Sequence, residues 1–220
     1  MVELMRFDLH IHSEISSCSN LAVTDLLEVA RQRGLDGICI TDHDTMAVRN
    51  QIREGIQADG LCVIIGMEYE TADGDFLLFG PTENIELGLP APQILDLIHR
   101  KGGVAIAAHP QRTWRPTQEY VIRDGHCAII ETLNGRNGDL ENLRSLFWCD
   151  KYQVKATGGS DAHSVDEVGK VITEFHHPVK NRQDLVQALK TGDYLPEWNF
   201  RWATMMNRVA NDNLHIALNS

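Results

Sequence analysis

Asp8-Leu9-His10-Ile11-His12 decides how the rest of the chain is read. Phe7 to Ile11 is an apolar run of strand length, and side chains on a strand alternate at a period of two. His10 and His12 therefore project from the same face. Two imidazoles at one strand end can approach a single ion. A lone His-x-His pair is as often ordinary surface. Here four further segments repeat the pattern, each an apolar run followed by His, Asp or Glu.

The runs themselves follow a strand–helix rhythm. Gly37–Thr41, Leu61–Gly66, Phe76–Phe79, Val104–Ala108, Cys127–Glu131, Val154–Thr157 and Val171–Phe175 read as further strands. Between them, helices are expected over Thr24–Arg33, Met46–Ala58, Pro92 to Gly102, Leu140–Cys149 and Arg182–Lys190, the last with Asn181 as its cap. Continuously apolar strands alternating with amphipathic helices imply a parallel sheet covered on its outside. About this many strands favour a single-domain α/β barrel, although an open doubly wound sheet gives a similar string. Residues 195–220 form a tail expected to cap the barrel or to make a contact.

Potential ligands fall just past the strands. Asp42 and His43 follow the Gly37 run, and Glu68 follows the Leu61 run. His109 follows the Val104 run; Asp161 and His163 follow the Val154 run. Five of the ten histidines are placed this way, which scattered surface residues would not achieve. His99, His126, His176 and His177 read as surface or turn residues, and His215 lies in the tail. Cys18 stands in the polar loop leaving the first ligand strand. Glu131 and Asn134 end a strand on the same face, to line the pocket or support it.

Bulk properties narrow the classes. The net charge of −11 argues against a membrane-surface or general nucleic-acid binder, but permits a small phosphorylated substrate if metal ions reverse the local potential. Five scattered cysteines, three of them inside apolar runs, point to a reducing, cytoplasmic setting. The opening residues lack the apolar stretch of a signal peptide, and no run reaches transmembrane length. Oligomeric state is not legible.

Asp8-Leu-His-Ile-His-Ser, Ile40-Thr-Asp-His-Asp-Thr, Gly66-Met-Glu, Ala108-His-Pro and Gly159-Ser-Asp-Ala-His resemble, in order, the successive motifs of the polymerase and histidinol phosphatase (PHP) superfamily. The resemblance covers residues 8 to 163. It implies a distorted (β/α)7 barrel with two or three metal ions at the C-terminal strand ends, and phosphoesterase activity. His10 and His12 would bind a first metal with Glu68 and Asp161. Glu68 would bridge to a second, shared with His109, while His43 and His163 would hold a third. Glu68 and Asp161 would act in catalysis through a metal-held water. Asp8 and Asp42 would fix imidazole orientation. In many relatives a His or Asp serves the third metal a few residues after the first pair; here Glu14 and Cys18 are nearest. Many also carry a histidine soon after the bridging Glu, where this chain has Asp75.

Mixed His and carboxylate donors suit Zn, Mn or Fe. Two such ions about 3.5–4 Å apart can activate water for in-line attack on phosphorus. Arg112 and Arg136 are placed to reach the phosphate, while Trp114, Arg115 and Trp198 to Trp202 are further candidates at the mouth. Two competing readings are an amidohydrolase-type C–N hydrolase and a non-catalytic domain binding metal or nucleotide.

Overall fold

The computed structural model describes residues 4–200 and Trp202. Among them, one sheet runs in the order β11-β10-β1-β2-β4-β3 and a second in the order β5-β6-β7-β8-β9. The strands of the first are β1 (Met5–Ile11), β2 (Gly37–Ile40), β3 (Gly55–Ile56), β4 (Cys62–Ile65), β10 (Val171–Phe175) and β11 (Tyr194–Trp198). Those of the second are β5 (Met67–Thr71), β6 (Gly74–Phe79), β7 (Val104–Ala107), β8 (Ile129–Asn134) and β9 (Lys155–Gly159). Helices α1 (Val23–Gln32), α2 (Ala91–Arg100), α3 (Glu119–Arg123), α4 (Asp139–Tyr152) and α5 (Arg182–Thr191) connect them.

The expected closed barrel is not what forms. The mixed α/β fold has two open sheets, and the pairing is not uniformly parallel. The β1–β2, β2–β4, β7–β8 and β8–β9 pairs are parallel. The β5–β6, β6–β7, β1–β10, β10–β11 and β3–β4 pairs are antiparallel. A turn of two residues, Ala72 and Asp73, joins β5 to β6, too short for a parallel crossover. At one end the sheets touch through two isolated bridges, Ile11 to Ala162 and His43 to Glu68.

Strand periodicity sorts the core into two layers. Ile38, Ile40, Val63, Ile65 and Leu78 pack with Leu26 and Val29 of α1 and Ile94 and Ile98 of α2. Their alternates Cys39, Cys62, Ile64, Leu77 and Phe79 pack with Phe7, Ile106 and Ile129, joining residues of both sheets. Leu185 and Leu189 of α5 share that second cluster. Burying each such aliphatic or aromatic side chain stabilises the fold by about 1.5–3 kcal/mol. Asn181 caps α5 as its sequence suggests, accepting a hydrogen bond from the Asp184 N–H.

Other expectations are corrected. Instead of a helix over Met46–Ala58, Ala47–Asn50 makes one 3-10 turn and Gly55–Ile56 is the edge strand β3. Of the buried residues there, Val48 and Ile52 stand four apart as on one helix face, but Met46 falls off it and Gly55 adopts a φ of 105°. Glu68 lies inside β5 and not on a loop past β4. The start of the tail, Leu195 to Trp198, belongs to the strand β11, which pairs with β10. The rest of the expected cap, 203–220, lies outside the described residues. Among the described residues, no helix is long and apolar enough to cross a membrane.

Candidate metal centre

His10 and His12 leave β1 with their Nε2 atoms 3.0 Å apart. The carboxylate of Glu68 reaches both, its Oε2 being 3.2 Å from His10 Nε2 and 3.0 Å from His12 Nε2. Glu68 Oε1 lies 2.9 Å from His109 Nε2. Asp161 Oδ1 completes the group at 3.6 Å from His10 Nε2 and 3.4 Å from His12 Nε2. All five side chains are buried. The convergence expected from the sequence is therefore realised, with donors from β1, β5 and the ends of β7 and β9.

The neighbouring groups hold these donors in place. Glu131 Oε1 lies 3.1 Å from His10 Nδ1, and its Oε2 accepts the His109 N–H at 2.8 Å and the Asn134 Nδ2–H at 2.8 Å. Gly159 makes room for the centre: a methyl there would sit 2.5 Å from His10 Cβ and 2.8 Å from Glu131 Oε1. His109 and Asp161 both have positive φ, 32° and 54°, sparsely populated for residues with a side chain. Asp161 is restrained by Arg112, whose Nη2 donates to Oδ2 at 2.5 Å. Arg112 also donates to Asn134 and Asn137 at 3.0 Å each.

Several sequence expectations change here. Arg112 lines the cleft with Arg115 and Arg136, but it is buried and engaged with Asp161, while the other two are half-exposed. Asp75 takes no part in the donor cluster; its Oδ2 accepts from Arg115 Nε at 2.5 Å. Asp8 accepts backbone N–H groups of His10, Ser160 and Gly169, and touches no imidazole nitrogen. Asp42 accepts from Ser13 and Ser16 instead of a histidine. Glu131 does the orienting that the sequence assigned to Asp8 and Asp42. Glu70, 3.2 Å from His43 Nδ1, was not singled out, because an acidic residue on a strand has no distinctive spacing.

Electrostatics follow from burial and contact. Burial disfavours charge on His10, yet Glu68, Asp161 and Glu131 outweigh it and raise its pKa well above the ordinary value. Burial would raise Glu68, but His10 and the other imidazoles bring it well below the usual carboxylate range. Asp161 is likewise held low against burial by His10, His12 and Arg112. Burial pushes Asp8 up to about 6, against the hydrogen bonds it accepts.

The donor set fits divalent cations. The ring nitrogens Nδ1 of His12 and His109 are buried without a hydrogen-bond partner. Imidazoles and carboxylates this close and this dry are costly unless a cation lies among them. Among the described residues, three groups have ligand atoms within 4.8 Å of one another: His10, His12 and Asp161; His10, Glu68 and His109; and His12, Cys18, His43 and His163. A cleft of about 330 Å³ opens over them, lined by His43, Glu68, Asp75, His109, Arg115 and Arg136 among others. His99 and His126 line a different cavity together with Lys155 and Lys190. His176 and His177 pair with Asp193.

The PHP-associated family model matches residues 139–194. An uncharacterised protein of Methanocaldococcus jannaschii is 30% identical over 116 residues, 48% of this chain and 68% of that protein. A second from the same organism is 29% identical over 181 residues, 78% of this chain and 70% of its own length. Among solved structures, PsfC of Pseudomonas syringae superposes with a TM-score of 0.75 at 19% identity, covering 96% of this chain and 99% of its own. A candidate metal-dependent phosphoesterase of Bifidobacterium adolescentis gives 0.61 at 18% identity, covering 84% of this chain and 96% of its own. Endonuclease Q, solved with a 27-mer duplex bearing an abasic lesion, gives 0.68 at 20% identity. It covers 86% of this chain, which spans 57% of that longer protein.

The last comparison corrects the exclusion of nucleic acid drawn from net charge. A protein of the same fold holds a DNA duplex, so the fold is compatible with such a substrate. Net charge sums over the whole surface, whereas binding depends on the potential inside the cleft, which Arg112, Arg115 and Arg136 line.

Proposed function

Because the chain belongs to the PHP superfamily, we propose that it is a metal-dependent hydrolase of phosphate esters. The observation supporting this reading is the convergence of His10, His12, Glu68, His109 and Asp161 under a cleft with two arginines at its mouth. His10, His12, Glu68 and Asp161 would hold one ion, Glu68 and His109 a second, and His43 and His163 a third. Divalent ions such as Zn, Mn or Fe supply Lewis acidity when bound, lowering the pKa of water and drawing charge from phosphoryl oxygens.

The chain's own residues prepare the rest. Glu68 offers one carboxylate oxygen toward His109 and the other toward His10 and His12, the geometry of a bridging ligand. Glu131 keeps the Nε2 atom of His10 aimed inward by engaging Nδ1. Arg112 fixes Asp161, and Arg112, Arg115 and Arg136, each paired with a carboxylate, are the cations lining the cleft that would orient a phosphate. No serine or cysteine nucleophile is required, since water is the attacking group. The five unpaired cysteines accord with a cytoplasmic setting.

The test is a substrate panel assayed with Zn, Mn or Fe(II). It contains a phosphate monoester, a nucleotide, a duplex with an abasic site and a cyclic amide. Turnover of a phosphate ester, abolished by chelation, is expected. Glu68→Gln should lose it by several kcal/mol in barrier terms while remaining folded. Turnover of the amide alone would identify a C–N hydrolase; bound metal with no turnover of any substrate would identify a binding domain.

A further inference from the structure

The loop after β1 is fixed by its serines. Ser13 donates its N–H and its hydroxyl to Asp42 at 2.8 and 2.7 Å, and Ser16 donates its hydroxyl to the same carboxylate at 2.6 Å. The His43 N–H donates to Ser16 Oγ at 3.2 Å. Ser19 Oγ lies 2.8 Å from the His12 carbonyl and 3.0 Å from that of His163. Asn20 donates its N–H to the His163 carbonyl at 3.3 Å. The loop is thus tied to each of the three segments that carry His12, His43 and His163, and it brings Cys18 to them.

The rings there are ordered. His12 has its centroid 4.5 Å from His43 and 4.3 Å from His163. The ligand atoms of His12, Cys18, His43 and His163 all fall within 4.8 Å of one another. Ligand atoms around a tetrahedral zinc stand about 3.3–3.8 Å apart, so a small contraction closes the set on an ion. The buried Nδ1 atom of His12 has no hydrogen-bond partner, and that of His43 has only the carboxylates of Glu68 at 3.4 Å and Glu70 at 3.2 Å beside it. With its proton on Nδ1, His163 donates to the Asp161 carbonyl at 2.8 Å, which leaves its Nε2 for a ligand. His12 Nε2 faces Glu68 and Asp161 and belongs to the nitrogen–oxygen centre.

We propose that Cys18 is a thiolate ligand which, with His43 and His163, makes a sulfur–nitrogen site for a soft ion such as zinc, distinct in chemistry from the nitrogen–oxygen centre around Glu68. This rests on the metal-dependent reading above and deepens it. Three protein ligands leave a fourth position open to the cleft, the pattern of a reactive ion more than of a structural one. Binding releases the Cys18 thiol proton to solvent. A thiolate also sets selectivity: zinc, cobalt and Fe(II) are accepted, and manganese, which prefers oxygen donors, is disfavoured at this site.

Cobalt titration tests it. The wild-type protein should develop a thiolate-to-cobalt charge-transfer band in the near ultraviolet. Cys18→Ser should lack that band and bind about one equivalent fewer of cobalt, while still binding cobalt at the nitrogen–oxygen centre. Alkylation of the wild type supplies a second readout that needs no variant. Cys18 is the exposed cysteine, with Cys39, Cys62 and Cys127 buried and Cys149 half-buried. Zinc should protect Cys18 from iodoacetamide, read by peptide mass. Cobalt bound without the charge-transfer band, together with unprotected Cys18, overturns this proposal and leaves the metal-dependent reading standing. No cobalt bound by the wild type overturns both.

Discussion

Glu131 carries two of the centre's imidazole residues at once, one by its ring and one by its backbone. Replacing it with Gln leaves one carbonyl oxygen where two carboxylate oxygens now accept. Metal affinity should fall about 10–100-fold with the fold intact, the usual cost of losing a group that orients a ligand imidazole. Competition against a chromogenic chelator measures this, and an unchanged affinity would remove Glu131 from the role. His163 offers a pH test. Burial, His12 and Arg136 lower its pKa from 6.5 to about 4, against Asp161. The folded state thus disfavours the charged ring, so its contribution to stability is complete above 6.5 and lost as pH falls from there toward 4. Urea unfolding of metal-free protein should therefore show the wild type losing ground to His163→Asn across that window; a constant difference would mean an ordinary titration. The convergence of the seven candidate donors was legible in the sequence because each falls at the end of an apolar run. Ser13, Ser16 and Glu70 were not, since what they do depends on partners distant in the chain.

At the scale of elements, the approach of β9 to β1 is what lets donors from the two sheets meet. Gly159 sits at that contact, with His10 on one side and Glu131 on the other. Gly159→Ala would insert a methyl against backbone and carboxylate with little room to give. It should destabilise the protein by about 1–3 kcal/mol, the usual range for overpacking, and weaken metal binding as His10 is displaced. Thermal unfolding with and without metal separates the two effects; an equal loss in both states would restrict the damage to packing. The strand–helix alternation was readable because fully apolar runs of four or five residues rarely serve as helices. The segment after β2 was not, because Val48 and Ile52 stand four apart as in a helix while its course is set by pairing β3 against β4. The hairpin of β5 and β6 was half-read for a similar reason. Met67–Thr71 is rich in charged residues, and only the pairing with Gly74–Phe79 makes it a strand.

For the whole molecule, the two sheets are joined at one end by bridges rather than by a continuous ladder, and the candidate ligands straddle that junction. His10, His12 and His43 belong to the first sheet or its strand ends; Glu68, His109 and Asp161 belong to the second. An ion held between them would cross-link the sheets where isolated bridges join them. The amides at the junction are specific: His12 donates to the Ala162 carbonyl at 2.8 Å, Ala162 to that of His10 at 3.2 Å, and Asp44 to that of Glu68 at 2.9 Å. Removing metal should leave the β2–β4 ladder protected from hydrogen exchange while these junction amides exchange faster, and adding zinc back should restore them. Global stability should rise with metal as well, by about 2.7 kcal/mol per site at a hundredfold excess over Kd. If chelation accelerated exchange uniformly, the ions would be stabilising the molecule as one cooperative unit, and the junction would have no special dependence on them. If exchange did not change at all, these side chains would not be binding metal between the sheets.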